Sequence, residues 1–339
     1  MDARAPGFAF SASILDLDAA READRIAQAV LELVQKRLKR RGVVVGVSGG
    51  IDSGVVAALC ARALGPQRVV ALLMPEKESS AESLELGRRL CDHLGVQAIQ
   101  EDITPLLEAS GCYRRRDEAL RAVIPEYGPG WKSKIVLPGV LDTDMYRVYS
   151  VVARSPDGRE VKARLPPEAY LTVVASTNFK QRARKMLEYF HADRLAYAVA
   201  GTPNRLEYDQ GFFVKNGDGA ADIKPIAHLY KAQVYQLAAH LGLPADIRSR
   251  PPTTDTYSLP QSQEEFYFSL PYHQMDLCLW ARDHDIAPAE VGRALGLDAV
   301  QVGRVFRDID AKRAAARYLG SPPLLVDPAA ADPEKADQT

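Results

Sequence analysis

The sequence has few of the residues that would point to a secreted protein, a metal-scaffolded protein or a nucleic-acid-binding protein. Its four cysteines, among 339 residues, form no C-x-x-C pair and no metal-ligand spacing, which argues against a disulfide framework or a cysteine-based metal site. Lysine and arginine number 43 against 44 aspartates and glutamates, so no general attraction to nucleic acid or membrane is expected. Residues 1–12 lack the basic-then-apolar pattern of a signal peptide, and no apolar run approaches membrane-spanning length. We therefore predict a cytoplasmic protein with buried free thiols.

What the sequence does contain is an alternation of strands and helices. Short, almost continuously apolar stretches predict strands at 43–47, 69–74, 96–100, 172–175 and 195–200. Apolar residues at helical spacing predict helices at about 53–64, 178–191 and 231–241, and a capping-box pattern at 79–82 predicts the start of another. Strands that are apolar on both faces are typical of a parallel sheet with helices on both sides. The pattern therefore predicts a doubly wound α/β fold.

Residues 108–167 interrupt this alternation. Two stretches of alternating polar and apolar residues, 148–153 and 160–165, flank a Ser-Pro-Asp-Gly turn and predict a β-hairpin inserted into the α/β unit. We expect that unit to span 1–285, with the insertion at about 108–167. A helical C-terminal extension is expected at 286–321, followed by a frayed Pro/Ala/Asp-rich tail at 322–339.

The turn after the first predicted strand has the clearest chemical signal. It reads S-G-G-I-D-S at 48–53, and its glycines allow successive backbone N–H groups to point at an anion at the start of a helix. The turn lacks the lysine of the P-loop, and it does not match G-x-G-x-x-G. A carboxylate in a phosphate site would repel its ligand unless a divalent cation lay between them. Asp52 therefore indicates Mg²⁺ bridging to phosphate oxygens.

S-G-G-x-D-S after a strand resembles the pyrophosphate-binding loop of the N-type ATP pyrophosphatases, which have an adenine nucleotide α-hydrolase-like fold. Four further motifs, in order, resemble the NAD synthetases: G-T-P-N-R-L-E at 201–207, F-F-V-K-N-G-D-G-A-A-D-I-K-P-I at 212–226, L-Y-K at 229–231 and P-P-T-T-D at 251–255. The resemblance extends over about 27–279, apart from the insertion.

The resemblance implies ATP-dependent amidation of deamido-NAD to NAD through an acyl-adenylate, with release of AMP and pyrophosphate. The chain shows no nitrilase-like glutaminase segment, so the nitrogen would come from free ammonia or from a separate glutaminase subunit. The resemblance also implies a homodimer that completes the dinucleotide site across its interface. Apolar and basic residues on the predicted helix 178–191 are compatible with such an interface.

The resemblance also assigns site residues. The expected ATP contacts are Gly46, Val47, Ser48, Gly49, Gly50, Ile51, Asp52, Ser53, Thr202, Lys231 and Thr253. The expected deamido-NAD contacts are Arg182, Lys215, Asp222 and Lys312. Asp52 and Glu207 are the expected Mg²⁺ ligands, and Asp52, Lys215 and Lys231 the expected catalytic residues.

Two alternatives remain open at this stage. The family usually carries a His-Lys pair near its substrate, whereas Asp-Ala-Lys-Arg stands at 310–313 here, so the enzyme could amidate another carboxylate. Residues 289–302 also resemble a helix-turn-helix, which would indicate DNA binding. Aspartates at 298, 308 and 310 match a phosphate backbone poorly and argue against that second alternative.

Overall fold

The computed structural model of the chain describes residues 10–136, 149–252, 257–262, 267–268 and 270–326. The strands are β1 Val43–Gly46, β2 Val69–Leu73, β3 Gln97–Gln100, β4 Lys132–Val136, β5 Ser150–Arg154, β6 Glu160–Arg164 and β7 Ala198–Ala200. The helices are α1 Ala19–Leu31, α2 Ile51–Leu64, α3 Ala81–Leu94, α4 Thr104–Ala109, α5 Cys112–Arg121, α6 Pro167–Leu195, α7 Arg205–Gln210, α8 Lys231–His240, α9 Ala245–Ser249, α10 Tyr272–Asp283, α11 Pro288–Leu295 and α12 Ala299–Gly320.

A four-stranded parallel sheet forms the centre of the molecule, in the order β3-β2-β1-β7. Successive residues of β1 point to opposite faces. Val43 and Val45 pack in a core shared with α1, α2 and α8, whereas Val44 packs with α4, α5 and α6 on the other face. Because both faces are covered by helices, the strands are apolar throughout. The predicted doubly wound α/β fold is confirmed.

The predicted hairpin is present as β5 and β6, and a third strand that was not predicted, β4, pairs with the outer edge of β5. The turn closes through a hydrogen bond from the Ser155 N–H to the Arg159 carbonyl, 2.9 Å long, with Gly158 at a φ of +89°. Residue 148 of the predicted hairpin lies outside the described residues. The insertion is therefore a three-stranded antiparallel sheet whose apolar side packs on α5 and the start of α6.

Two local predictions are wrong. The predicted strand at 172–175 is part of α6, which continues for 29 residues. Hydroxyls in this stretch donate to carbonyls one turn back, as Thr172 does to Glu168 and Ser176 to Thr172, so these residues are accommodated in a helix. The predicted capping box at 79–82 does not form either. The Ser79 hydroxyl accepts the backbone N–H of Glu76, and the N-cap of α3 is instead Ser80, whose side chain makes no capping bond.

The C-terminal helices form a second core. α10, α11 and α12 pack together around Met275, Val291 and Val305, all of them buried. The predicted helix-turn-helix corresponds to α11 and α12, but α12 packs along α7, α10 and α11. These two helices therefore serve as packing elements of the fold. Among the described helices, none is long and apolar enough to cross a bilayer. All four cysteines are free and buried.

Candidate active site

The glycine-rich turn joins the carboxyl end of β1 to the first turn of α2. The Ser53 hydroxyl donates to the Gly50 carbonyl at 3.0 Å, and the Ser48 hydroxyl accepts the Gly50 N–H at 3.3 Å. Gly49 has a φ of +75°, and a Cβ there would lie 2.5 Å from the Ser83 carbonyl oxygen. A side chain at this position would be strained by both the backbone conformation and the close contact, so the turn requires glycine.

Four polar residues from three segments meet beside this turn: Asp52 on α2, Asn204 and Glu207 at the start of α7, and Lys231 at the start of α8. Asp52, in the first turn of α2, forms an ion pair with the ammonium of Lys231 and accepts a 3.1 Å bond from the Asn204 amide. Asn204 caps α7 by accepting the Glu207 N–H, and the Glu207 carboxylate accepts the Asn204 N–H, each at 3.1 Å. The capping box thus holds the Glu207 carboxylate, and the Asn204 side-chain amide holds the Asp52 carboxylate beside it.

Burial and mutual charge shift the protonation of this cluster. Removal from water raises the pKa of Glu207 to about 8, and the neighbouring charge of Asp52 adds to the shift. Burial opposes the charge on Lys231, which is only 1% exposed, but the charges of Asp52 and Glu207 outweigh it and raise its pKa. Two carboxyl groups and one ammonium therefore share a small region of low dielectric. Groups with perturbed pKa values of this kind are common at catalytic and ligand-binding sites.

A cavity of about 590 Å³ opens onto this cluster. Among the residues predicted to bind ATP, those lining the cavity are Gly46, Val47, Ser48, Gly50, Ile51, Asp52, Ser53, Thr202 and Lys231, together with Glu207. Gly49 lies behind the loop against Ser83. Thr253 lies outside the described residues. The structure thus brings nearly all of the predicted ATP and metal residues to one concave surface at the carboxyl edge of the sheet.

The residues predicted to bind deamido-NAD lie elsewhere on the chain. Arg182 is exposed on α6 and donates to the Lys215 carbonyl at 3.2 Å, while the Lys215 ammonium donates to the Tyr318 carbonyl at 2.9 Å. Asp222 accepts the Val199 N–H at 2.7 Å. Lys312 donates to the Tyr267 carbonyl at 2.6 Å and pairs with Asp308 at 2.8 Å. None of the four is among the residues that line the cavity in the described part of the chain.

A family model described as NAD synthase matches residues 22–122 and 151–315. The chain belongs to the NAD synthase family. A protein of Rhizobium meliloti named NH(3)-dependent NAD(+) synthetase is 59% identical over 319 residues, which are 94% of this chain and 95% of the relative. One of the same name from Thermotoga maritima is 37% identical over 255 residues, 74% of this chain and 85% of the relative.

Solved structures share the fold of this NAD synthase-family chain at lower identity. An NH3-dependent NAD synthetase from Campylobacter jejuni has a TM-score of 0.61 at 23% identity, covering 92% of this chain and all of the other. An NMN synthetase from Francisella tularensis has the same TM-score at 20% identity, with the same coverage. Because proteins named for different products share it, the fold alone does not select a substrate.

Several residues of the site were not predicted from the sequence. Asn204 is completely buried and links Asp52 to Glu207, and an Asn three residues before a Glu is the sequence signal of a capping box. Asp276 on α10 is also fully buried and accepts the Ala232 N–H at 2.8 Å, next to Lys231. Burial raises the pKa of Asp276 to about 7. An aspartate within an apolar helix gives no sequence signal for this position.

A second buried group on the cavity wall was also not predicted. Lys185 and Glu188, one turn apart on α6, form a 2.5 Å ion pair with both side chains less than 10% exposed. Glu188 lies against the start of the phosphate turn, since a Cβ at Gly46 would be 2.8 Å from its carboxylate oxygen. The predicted helix 178–191 contained both residues, but their inward direction depends on how α6 packs over the sheet.

Proposed function

We propose that this member of the NAD synthase family amidates deamido-NAD to NAD, using ATP and ammonia and releasing AMP and pyrophosphate. One observation carries the proposal. The phosphate turn, Asp52, Glu207 and Lys231 meet on one cavity at the carboxyl edge of the sheet. This arrangement combines anion-binding backbone, a buried ammonium and two carboxylates, the groups needed to bind a polyphosphate and stabilise its departure.

In the first step, an oxygen of the substrate carboxylate attacks the α-phosphorus of ATP, and the bond to the bridging oxygen of pyrophosphate breaks. The turn's N–H groups, the Ser48 and Ser53 hydroxyls and the start of α2 hold the phosphates. The Lys231 ammonium, held in place by Asp52, is available to stabilise the negative charge that develops on the phosphate oxygens. The product of this step is an acyl-adenylate.

In the second step, ammonia attacks the carbonyl carbon, the bond to the AMP oxygen breaks, and a proton is lost from nitrogen. An ionised carboxylate resists attack by a nucleophile, whereas the mixed anhydride has a good leaving group. The mechanism requires no nucleophile from the protein. A glutaminase subunit that supplies the ammonia remains a prediction.

The cluster fits a magnesium ion. Mg²⁺ is commonly held by one or two carboxylates together with substrate phosphates, and Asp52 and Glu207 both line the cavity beside the turn. Burial and the neighbouring charge of Asp52 raise the pKa of Glu207 to about 8, so a cation bound beside it would favour its ionised form. A bound Mg²⁺ would neutralise charge on the departing pyrophosphate. Asn204 holds both carboxylates toward one another, and therefore toward such an ion.

We propose a homodimer for the working enzyme. Three apolar side chains of α6 are more than half exposed in the single chain: Leu171 at 62%, Met186 at 55% and Phe190 at 57%. Arg182 is exposed on the same helix. A partner chain packed on α6 would bury the apolar residues and bring a second surface toward Arg182 and Lys215. A cytoplasmic location stays a prediction from composition.

The test is to incubate the protein with Mg-ATP, ammonium and a panel of carboxylates, including deamido-NAD and nicotinic acid mononucleotide. We expect AMP, pyrophosphate and NAD in equal amounts with deamido-NAD alone. Amide formation only with the mononucleotide would replace the proposed substrate and keep the reaction type. Stoichiometric ADP would overturn the reaction type itself.

A further inference from the structure

Two tyrosines on the cavity wall have no part in the chemistry described above. Tyr149 and Tyr170 are stacked with their ring centroids 3.9 Å apart and their planes at 15°. Both rings line the cavity that contains the phosphate turn. Tyr149 directly precedes β5 of the inserted sheet, and Tyr170 lies in the first turn of α6. The inserted sheet therefore contributes to the wall of the candidate active site.

The inserted sheet holds this pair in position. The Tyr149 carbonyl accepts the Leu165 N–H at 2.9 Å, which joins the two ends of the hairpin. Beneath the rings, Val151, Leu165 and Val173 form a buried apolar core. Since backbone pairing and side-chain packing both fix them, the rings present a preformed planar surface.

The pair and the phosphate turn line well-separated parts of the cavity wall. Tyr170 and Glu188 both line the cavity from α6, and Glu188 contacts the turn at Gly46. The 18 residues between them correspond to about 27 Å along a helix. With its phosphates on the turn, ATP would occupy the part of the cavity beside Glu188, which leaves the part beside the tyrosines for the other substrate.

We propose that Tyr149 and Tyr170 form a ring-stacking subsite for one planar ring of the acid substrate, an assignment that rests on the proposed function. A parallel stack that ends at a cavity can be extended by a further flat ring, with dispersion and offset stacking as the attraction. The subsite takes a heteroaromatic ring of a dinucleotide and makes the inserted sheet a determinant of substrate affinity.

The experiment compares Tyr149→Leu with Tyr149→Phe, which keeps the ring. Trp131→Leu, which removes an aromatic side chain directly before β4 of the inserted sheet but away from the cavity, is the control. Stacking of a base on an aromatic side chain has a magnitude that corresponds to about tenfold in affinity. We expect Tyr149→Leu to raise the KM for deamido-NAD about tenfold, with kcat and the KM for ATP unchanged. Tyr149→Phe and Trp131→Leu should behave as wild type.

Binding of deamido-NAD and of ATP, each measured separately by calorimetry, gives a second readout that does not depend on turnover. If Tyr149→Leu folds poorly, Tyr170→Leu removes the other ring from the helix and leaves the strands intact. A selective loss of ATP affinity would place the adenine of ATP on the pair and overturn the proposal, as would equal affinities in all variants. Failure of the wild type to form NAD would instead refute the proposed function.

Discussion

At the carboxyl edge of the parallel sheet, Asp52 has two polar partners from distant segments, whereas Arg182, exposed on α6, donates to a backbone carbonyl of the nearby loop. The first environment is almost closed to solvent, with Lys231 1% exposed, and the second faces outward. These are the two predicted halves of the site, one for ATP and one for the dinucleotide acid. The ATP half lines the cavity, whereas none of the four residues predicted for the dinucleotide acid lines it in the described part of the chain.

The difference follows from how each half is built. Parallel strands end at a common edge, so the residues after β1 and β7 are brought together by the sheet itself. The residues of the second half lie on α6, on the loop before α8 and on α12, where no shared strand edge aligns them. We infer that the first half is complete in one chain and that the second requires a partner chain or movement of these segments.

The largest expected effect is that of Asp52→Asn. It removes a carboxylate from the proposed metal site and the counter-charge of Lys231, so adenylation should fall by about a hundredfold or more. The measurement is pyrophosphate release under saturating Mg-ATP. Because Lys231 is buried, the variant should also lose stability, by about 3–5 kcal/mol if Glu207 does not take over the ion pair.

Asp52→Asn combined with Lys231→Met separates these two effects. The double variant removes the unpaired charge, so it should regain thermal stability and stay inactive. Glu207→Gln should reduce adenylation in the same way, and its loss should not add to that of Asp52→Asn if both carboxylates hold one ion. Full turnover with unchanged Mg²⁺ dependence in either single variant would contradict the assignment of a metal site.

Asn204→Ser is expected to have an intermediate effect. Serine keeps the N-cap of α7 by accepting the Glu207 N–H, but its hydroxyl is shorter than the Asn204 amide and does not reach Asp52 in the same way. We expect kcat to fall about 10- to 100-fold with little change in melting temperature, the range seen when groups that orient metal ligands are removed. Asn204→Ala removes both bonds and should lower the melting temperature as well. Equal activity in Asn204→Ser and wild type would mean that the bond to Asp52 does not orient the carboxylate.

The two halves also differ in how far the sequence predicted them. Local patterns predicted the glycine turn, the strand before it and the parallel sheet. A glycine-rich turn between a strand and a helix is typical of an anion site, and short apolar runs are typical of buried parallel strands. The strand predicted at 172–175 was wrong because this stretch packs as a helix against the inserted sheet, with Val173 buried, and that tertiary packing overrides the strand preference of its β-branched residues. β4 was not predicted, because its five residues form a strand only by pairing with β5, which lies further along the chain. Asp276 and the Lys185–Glu188 pair are visible only once helices are packed.

Arg182→Ala tests the outer half. We expect the KM for deamido-NAD to rise about tenfold with the KM for ATP unchanged, because the arginine is a candidate for a substrate phosphate and lies outside the cavity that holds the turn. Light scattering of the wild type should give twice the chain mass of 37.2 kDa at micromolar concentration. A monomeric mass together with full activity would exclude a site shared between chains, and an equal rise in both KM values would remove the distinction between the halves.

The smallest expected effect concerns the pH dependence of stability at the inner half. Asp276 has its pKa raised from 3.8 to about 7 by burial, so between these pH values the folded chain retains a proton that the unfolded chain releases. The contribution of this protonated group to stability is therefore fully present below pH 3.8 and is lost as pH rises toward 7. Asp276→Asn cannot ionise and should not show this loss. Its melting temperature relative to wild type should rise by about 2 °C or more between pH 5 and 8. Asp193→Asn, at an exposed site on α6, is the matched control and should keep a constant offset from wild type. A constant offset for Asp276→Asn as well would mean that this carboxylate is already ionised at pH 5, held by the N–H groups at the start of α8 and by Lys231.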